Sequence, residues 1–285
     1  MDKRRPDFAG SWYSGNESDC RQTIEELSDS SDPCGSIEGE RVGGIVPHAG
    51  WFFSGRIACN VIKCLSGDNP VETIVIFGRH LHPGSKNFIM KEGLWATPLG
   101  DLEVDNGLAE RLIAEFPFTI ETVTSYEQDN TIELQLPFIK YFFPDVRILP
   151  IGVPPEITSL KVGERVVELA NRIDRRISVL GSTDLTHYGD NYGYAPMGVG
   201  EKAVDWVKNE NDKKVIDMMV MMDAKGVIRE SSKNFNACCG GAAATTIAAA
   251  KRLGAIKGKK LDYYTSYDIR PNSSFVGYVG IVFHS

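Results

Sequence analysis

Long apolar runs are missing from this 285-residue sequence. No stretch approaches the roughly 18 consecutive apolar residues of a membrane-crossing helix, so no membrane partner is expected. The first residues, MDKRRPDFAGSWY, carry basic side chains with no apolar stretch behind them, unlike a secretory signal. A basic excess is missing too. The 31 Lys and Arg residues stand against 38 Asp and Glu, a formal charge of −7. A nucleic-acid partner would ask for the opposite balance or for a basic stripe. The clusters at Lys3, Arg4, Arg5 and at Lys257, Lys259, Lys260 read as solvated faces. Also absent is any C-x-x-C pair: the six cysteines fall at 20, 34, 59, 64, 238 and 239, which argues against a structural zinc knuckle. With the cytoplasm as the expected compartment, these cysteines are expected to be mainly reduced.

What is present is an ordinary globular composition, 42% hydrophobic and 24% charged. The chain is long enough to bury a substantial core. Two continuous apolar runs, VGGIVP (42–47) and TIVIFG (73–78), flank the helical spacing of 54–67 and together read as a βαβ unit. Further strands are expected at 146–153, 177–184, 261–269 and 274–283, with a short antiparallel excursion at 93–105. Helices are expected at 18–29, 106–115, 131–143 (kinked or interrupted at Pro137), 159–173, twice within 201–231, and at 239–254. The segment 30–40 reads as a loop. The last helix is rich in alanine, which permits close packing. Methionines 218, 219, 221 and 222 read as core filler. With no internal repeat and no linker, the expectation is a single α/β domain over 1–285, a central mostly parallel mixed sheet flanked by helices.

Histidine is scarce, and its positions are informative. Four of the five follow apolar strands: His48 after GGIVP, His80 and His82 after TIVIFG, and His187 after ISVLGSTDLT. The fifth, His284, is expected to be exposed. Strand ends of a parallel sheet converge on one edge, where open α/β folds place their chemistry. Two or three imidazoles there would suit a divalent transition metal, completed by an acid or a thiolate. Asp184 and Cys239 are the candidates for that third donor, and Asp184 has the alternative role of orienting a histidine. Cys239 opens the alanine-rich helix, where the helix dipole favours a thiolate. Cys238 and Cys239 also read as two small buried residues at a helix start. Glu133 is a candidate general base or substrate ligand, or else an ordinary acid at a helix N-terminus. The aromatics Trp12, Tyr13, Trp51, Phe52 and Phe53 read as core, with a groove lining as the alternative.

Seven segments, AGSWY (9–13), PHAGWFFSG (47–55), FGRHLHPG (77–84), NTIELQLPF (130–138), GSTDLTHYG (181–189), NACCGG (236–241) and TSYDIRPNSSFVGYVGI (265–281), resemble the MEMO family in order and spacing. The family is also called AmmeMemoRadiSam system protein B, and the resemblance runs from about residue 8 to 283. It implies a fold like that of the LigB-type class III extradiol dioxygenases. It further implies a site at the strand edge made of two histidines and a cysteine, holding one iron or copper ion, with zinc as another possible occupant. Carried over, His48 and Cys239 match family ligands, while Asp184 and His187 match a polar pair with orienting or substrate-facing roles. The chain departs from the family pattern twice. Leu81 stands where the second histidine is common, leaving His80, favoured for its closeness to the strand, or His82. Asn130 stands where histidine is frequent, which weakens proton transfer at that corner.

Three functions compete on this reading. The first is a metal-dependent redox or oxygen-handling enzyme acting on an unknown small molecule or peptide, with His187 as acid or base. The second is a non-catalytic metal-binding adaptor for a peptide or protein. The family's prokaryotic name implies radical-SAM and AMMECR-type proteins as associates. The third is a metal-free hydrolase with Cys239 as nucleophile, His187 as base and Asp184 as orienter.

Overall fold

The computed structural model describes residues 2–28, 34, 35, 37–67 and 70–285. The chain runs through β1 (Lys3–Arg4), α1 (Glu17–Leu27), β2 (Arg41–Val46), α2 (Trp51–Leu65) and β3 (Thr73–Gly78). Three short strands follow, β4 (Asn87–Met90), β5 (Leu94–Thr97) and β6 (Gly100–Glu103). Next come α3 (Asn106–Ile113), β7 (Phe118–Glu121), α4 (Asn130–Glu133), α5 (Leu136–Phe142), β8 (Arg147–Gly152), α6 (Ile157–Asn171) and β9 (Ile177–Ser182). The last third holds β10 (His187–Tyr188), α7 (Glu201–Trp206), α8 (Asp212–Val220), α9 (Ala224–Asn234), α10 (Gly240–Arg252), β11 (Lys257–Thr265), α11 (Ser266–Ile269) and β12 (Phe275–His284).

Among the described residues, nine strands form one sheet in the order β10-β12-β2-β9-β3-β8-β4-β7, with β11 paired to β12. Its centre, β2-β9-β3-β8, is parallel, and antiparallel strands extend it on both sides. The central strands are buried at every position except Arg41 and Arg147, which open β2 and β8, because both faces are covered. Val75 and Phe77 of β3 join the core beneath α6, α8, α9 and α10, while Ile74 and Ile76 join the one beneath α1, α2 and α5. Alanine along α10 lets it lie close to α6: a Cβ on Gly163 would fall 2.4 Å from the Thr245 carbonyl oxygen. The 93–105 excursion is the antiparallel β5–β6 pair, joined by β1 into a separate small sheet. No helix among the described residues is long and apolar enough to cross a membrane.

Some expectations need correction. β4 and β7 were not anticipated. NFIM and FTIE are four-residue segments toward the sheet's edge, too short to give a periodic signal. Pro137 lies in the first turn of α5, where its missing N–H costs nothing, so 131–143 is two helices rather than one bent helix. In 201–231, α7 continues into α8 through a π-helical segment, Val207–Asn211. Met219 and Met222 are buried, but Met221 is exposed. His284 is only 3% exposed, because β12 is hydrogen-bonded on both sides and pairs His284 with Arg41 and with Lys257. Cys34 and Cys64 form a disulfide; Cys20, Cys59, Cys238 and Cys239 carry thiols. The loop at 30–40 lies partly outside the described residues.

Candidate metal centre

His48, His80 and Asp184 each stand two residues beyond a strand, after β2, β3 and β9 respectively, and these three strands are neighbours in the sheet. His48 is buried with its Nδ1 2.9 Å from Ser182 Oγ, which leaves Nε2 aimed outward. Its backbone is fixed as well: the His48 N–H donates to Asp184 Oδ1 at 2.7 Å, and Asn130 Nδ2 donates to the His48 carbonyl at 3.0 Å. His80 is delivered differently. Arg79 takes a left-handed backbone (φ 74), uncommon for a residue with a side chain, and turns the chain at the strand end. The turn is held by Arg79 N–H donating to Thr131 Oγ1 at 2.8 Å and by ion pairs of its guanidinium with Glu121 (2.6 Å) and Glu127 (2.7 Å).

Opposite the histidines, the start of α10 presents two sulfurs. Cys238 N–H donates to the Asp184 carbonyl at 3.1 Å and Cys239 N–H to Thr183 Oγ1 at 3.0 Å, so the dipeptide is stapled to the end of β9. Gly241 allows the approach, since a Cβ there would fall 2.4 Å from the Pro154 carbonyl carbon and oxygen. His48 Nε2 lies 3.3 Å from Cys238 Sγ, His80 Nδ1 3.5 Å from Cys239 Sγ, and the two sulfurs are 3.8 Å apart. All four donor atoms lie within 4.8 Å of one another, a group that could hold a metal ion. A tetrahedron with ordinary metal–nitrogen and metal–sulfur bonds has edges of about 3.3 to 3.8 Å. The three contacts given above fall in that range.

The charges are shared accordingly. Burial would push the Cys238 thiol up, but hydrogen bonds and charge from Cys239, His48 and His80 hold it well below its ordinary value. Cys239 is pushed well up, by burial and then by the neighbouring Cys238 sulfur. Burial disfavours a protonated His48, yet Asp184 and Cys238 outweigh it and raise the imidazole to about 9. Burial also raises Asp184, opposed by His48 and His187. Asp184 Oδ2 is 3.9 Å from Nε2 of both His48 and His187.

The structure brings His48, His80 and Cys239 together and adds Cys238, which the sequence offers only as a small buried residue beside Cys239. The signal for Cys238 was its adjacency to Cys239. Two candidates sit elsewhere. His82 is exposed in the turn after His80, its N–H donating to Ser85 Oγ at 3.2 Å, so it lies outside the cluster. Glu133 is fully buried, and its carboxylate accepts from Asp7 N–H (2.8 Å), Phe8 N–H (2.8 Å) and the Tyr13 hydroxyl (3.0 Å). Burial raises its pKa against these donors. It anchors the N-terminal segment and does not line the cleft over the histidines. Cys239 as a metal-free nucleophile is disfavoured by its burial and raised pKa.

His48, His80, Asn130, Asp184 and His187 line a cleft of about 820 Å3. Trp12 (41% exposed), Phe52 (73%) and half-buried Phe53 also line it, whereas Tyr13 and Trp51 are core. The aromatic stretch is therefore divided between core and cleft. A cavity of about 900 Å3 lies at the opposite ends of the strands, around Arg41, Arg175 and Arg176, and among the described residues neither an imidazole nor a thiol lines it.

Known proteins share this chain's sequence and fold. A family model described as Memo-like protein matches residues 4–282. The chain is 35% identical to a MEMO1 family protein of Thermococcus onnurineus, covering 98% of this chain and 99% of the relative. It is 33% identical to one from Methanopyrus kandleri, covering 99% of each. Among solved structures, an uncharacterized protein of Escherichia coli K12 shares the fold with a TM-score of 0.57 at 11% identity, covering 85% of this chain and 99% of that one.

Proposed function

The chain belongs to the Memo-like protein family, and from that membership and the donor geometry we propose that it holds one iron or copper ion for a metal-dependent redox or modification reaction. His48, His80 and the Cys238–Cys239 pair would be the ligands. The supporting observation is that two imidazole nitrogens and two sulfurs from three separate points of the chain lie within 4.8 Å of one another. Two sulfurs make the donor set softer than one would, which favours copper over iron and admits zinc as a redox-silent alternative. A bound ion would supply Lewis acidity and a one-electron couple at the cleft floor.

The chain's own residues do the rest. Ser182 Oγ lies 2.9 Å from His48 Nδ1 and would accept its proton in the tautomer that leaves Nε2 free as the ligand nitrogen. Asp184 locks the His48 backbone and sets a negative charge beside two imidazoles. His187, half-buried on the cleft wall, is within reach of a bound molecule and is the group to give or take its proton. Asn130 can hydrogen-bond a substrate but not shuttle a proton. Trp12, Phe52 and Phe53 give the cleft apolar walls suited to an organic small molecule or a peptide side chain.

Cobalt(II) titration under anaerobic conditions tests the ligand set. The expected result is saturation at one ion per chain, with strong sulfur-to-cobalt absorption and tetrahedral d–d bands. The sulfur absorption should weaken in Cys238→Ala and vanish when Cys239 is also replaced. A weak, six-coordinate spectrum without sulfur absorption would sink the assignment. The adaptor reading is favoured by one observation, the exposed rings of Trp12 and Phe52 at the cleft. It differs in predicting partner capture that survives loss of His187.

A further inference from the structure

The cysteine pair has a second approach. Cys238 does not line the larger cleft; it lines a separate one of about 500 Å3. His187 and Tyr192, with ring centroids 4.9 Å apart, border both clefts. Among the described residues, the smaller cleft is lined by no aspartate, glutamate, lysine or arginine, its ionisable groups besides tyrosine being His82, His187 and Cys238, while Asp184 and Arg270 line the larger one. An anionic occupant would lose water there and face the Cys238 sulfur, with no lysine or arginine in the described lining to offset either cost. The volume is that of a small-molecule site.

Phe235 supplies an independent observation. It ends α9 in the left-handed region (φ 51), where glycine or asparagine is the usual residue. Its ring is 64% exposed and belongs to none of the buried clusters, so the core gains little from it. The ring stands edge-on to Tyr194 at 5.6 Å, and the Tyr194 hydroxyl donates to the Asn234 carbonyl at 3.2 Å. Backbone strain kept for an exposed ring beside a cavity points to binding rather than to folding.

We propose that this cleft is a second ligand site, taking a neutral, ring-bearing small molecule that packs on Phe235 and Tyr194 and reaches the Cys238 sulfur. The cleft and the Phe235 conformation that carry the inference are the same whether or not an ion is bound, although Cys238 is shared with the metal reading.

The test is labelling of the full chain, stripped of metal by a chelator, with N-phenylmaleimide and with its para-carboxylate. The sulfur adds across the maleimide double bond, whose other carbon takes up a proton, and peptide mass identifies the modified cysteine. The expected result is saturable labelling of Cys238. After correction for reaction with free glutathione, the neutral reagent should react about tenfold or more faster than the carboxylate. Phe235→Gly, which relieves the backbone and removes the ring, should keep its melting temperature and lose the saturation. Phe235→Tyr should retain it. Labelling that rises linearly with reagent, treats both reagents alike, is unchanged in Phe235→Gly or misses Cys238 would overturn the proposal.

Discussion

Ser182 shows how one hydroxyl can set the chemistry of a buried ring. Its Oγ faces His48 Nδ1 while Nε2 faces the Cys238 sulfur, and a hydrogen bond from Nδ1–H to Oγ would leave Nε2 unprotonated and able to bind metal. Ser182→Ala is therefore expected to lower metal affinity about 10- to 100-fold without changing the number of ions bound at saturation, as read by competition against a chelator. Unchanged affinity would mean that the Ser182 contact does not orient the ring. Glu133 makes the opposite prediction. Glu133→Ala strands two backbone N–H groups and the Tyr13 hydroxyl, for a loss of about 3 kcal/mol in denaturant unfolding. Metal bound per folded chain should stay constant; a selective loss of turnover at full stability would restore Glu133 as a catalytic group. The sequence made His48 and Cys239 visible because their neighbours have motif character. It hid the turn at Arg79, since nothing in the letters FGRH says that the arginine is left-handed and held by two glutamates.

At the scale of elements, the junction of α7 and α8 carries a buried charge problem. The π-helical turn ends at Asp212, whose Oδ2 accepts from the Tyr263 hydroxyl at 2.8 Å and whose Oδ1 accepts from Thr186 N–H at 3.0 Å. Burial pushes this carboxyl from the ordinary 3.8 up to about 7, the Thr186 and Tyr263 hydrogen bonds opposing it. A folded pKa above the unfolded one means the native state binds the proton more tightly. Its contribution is fully present below about pH 4, is lost as pH rises to about 7, and amounts to about 4 kcal/mol. Asp212→Asn cannot ionise, so its stability relative to wild type should rise across that window and level off above it. Parallel melting curves from pH 4 to 8 check this, and a constant difference between the two proteins would contradict it. The π insertion itself left no mark in the sequence pattern, because five residues of helix-like spacing read the same in either helix.

For the whole molecule, the four parallel strands at the centre were legible because burial on both faces writes itself as unbroken apolar runs such as TIVIFG. The strand ends that carry His48, His80 and Asp184 followed from those runs. Less legible was what arrives from far along the chain. Cys238 became a donor only once α10 was laid against the end of β9, and His284 became buried only because β12 lies between two other strands. The Cys34–Cys64 pair spans 30 residues and depends on the end of α2 meeting a loop, which spacing alone does not show.

The central claim, one metal ion held by this cluster, is tested most directly by elemental analysis of anaerobically purified protein. Wild type would be measured beside His48→Ala, His80→Ala, His82→Ala, Cys238→Ala and Cys239→Ala. The account predicts near-stoichiometric iron or copper in wild type and in His82→Ala, its loss in the His48, His80 and Cys239 variants, and weakened retention in Cys238→Ala. A wild-type chain that holds no metal and cannot be loaded with iron(II), copper(I) or zinc(II) would contradict it, as would full loss in His82→Ala with none in His80→Ala.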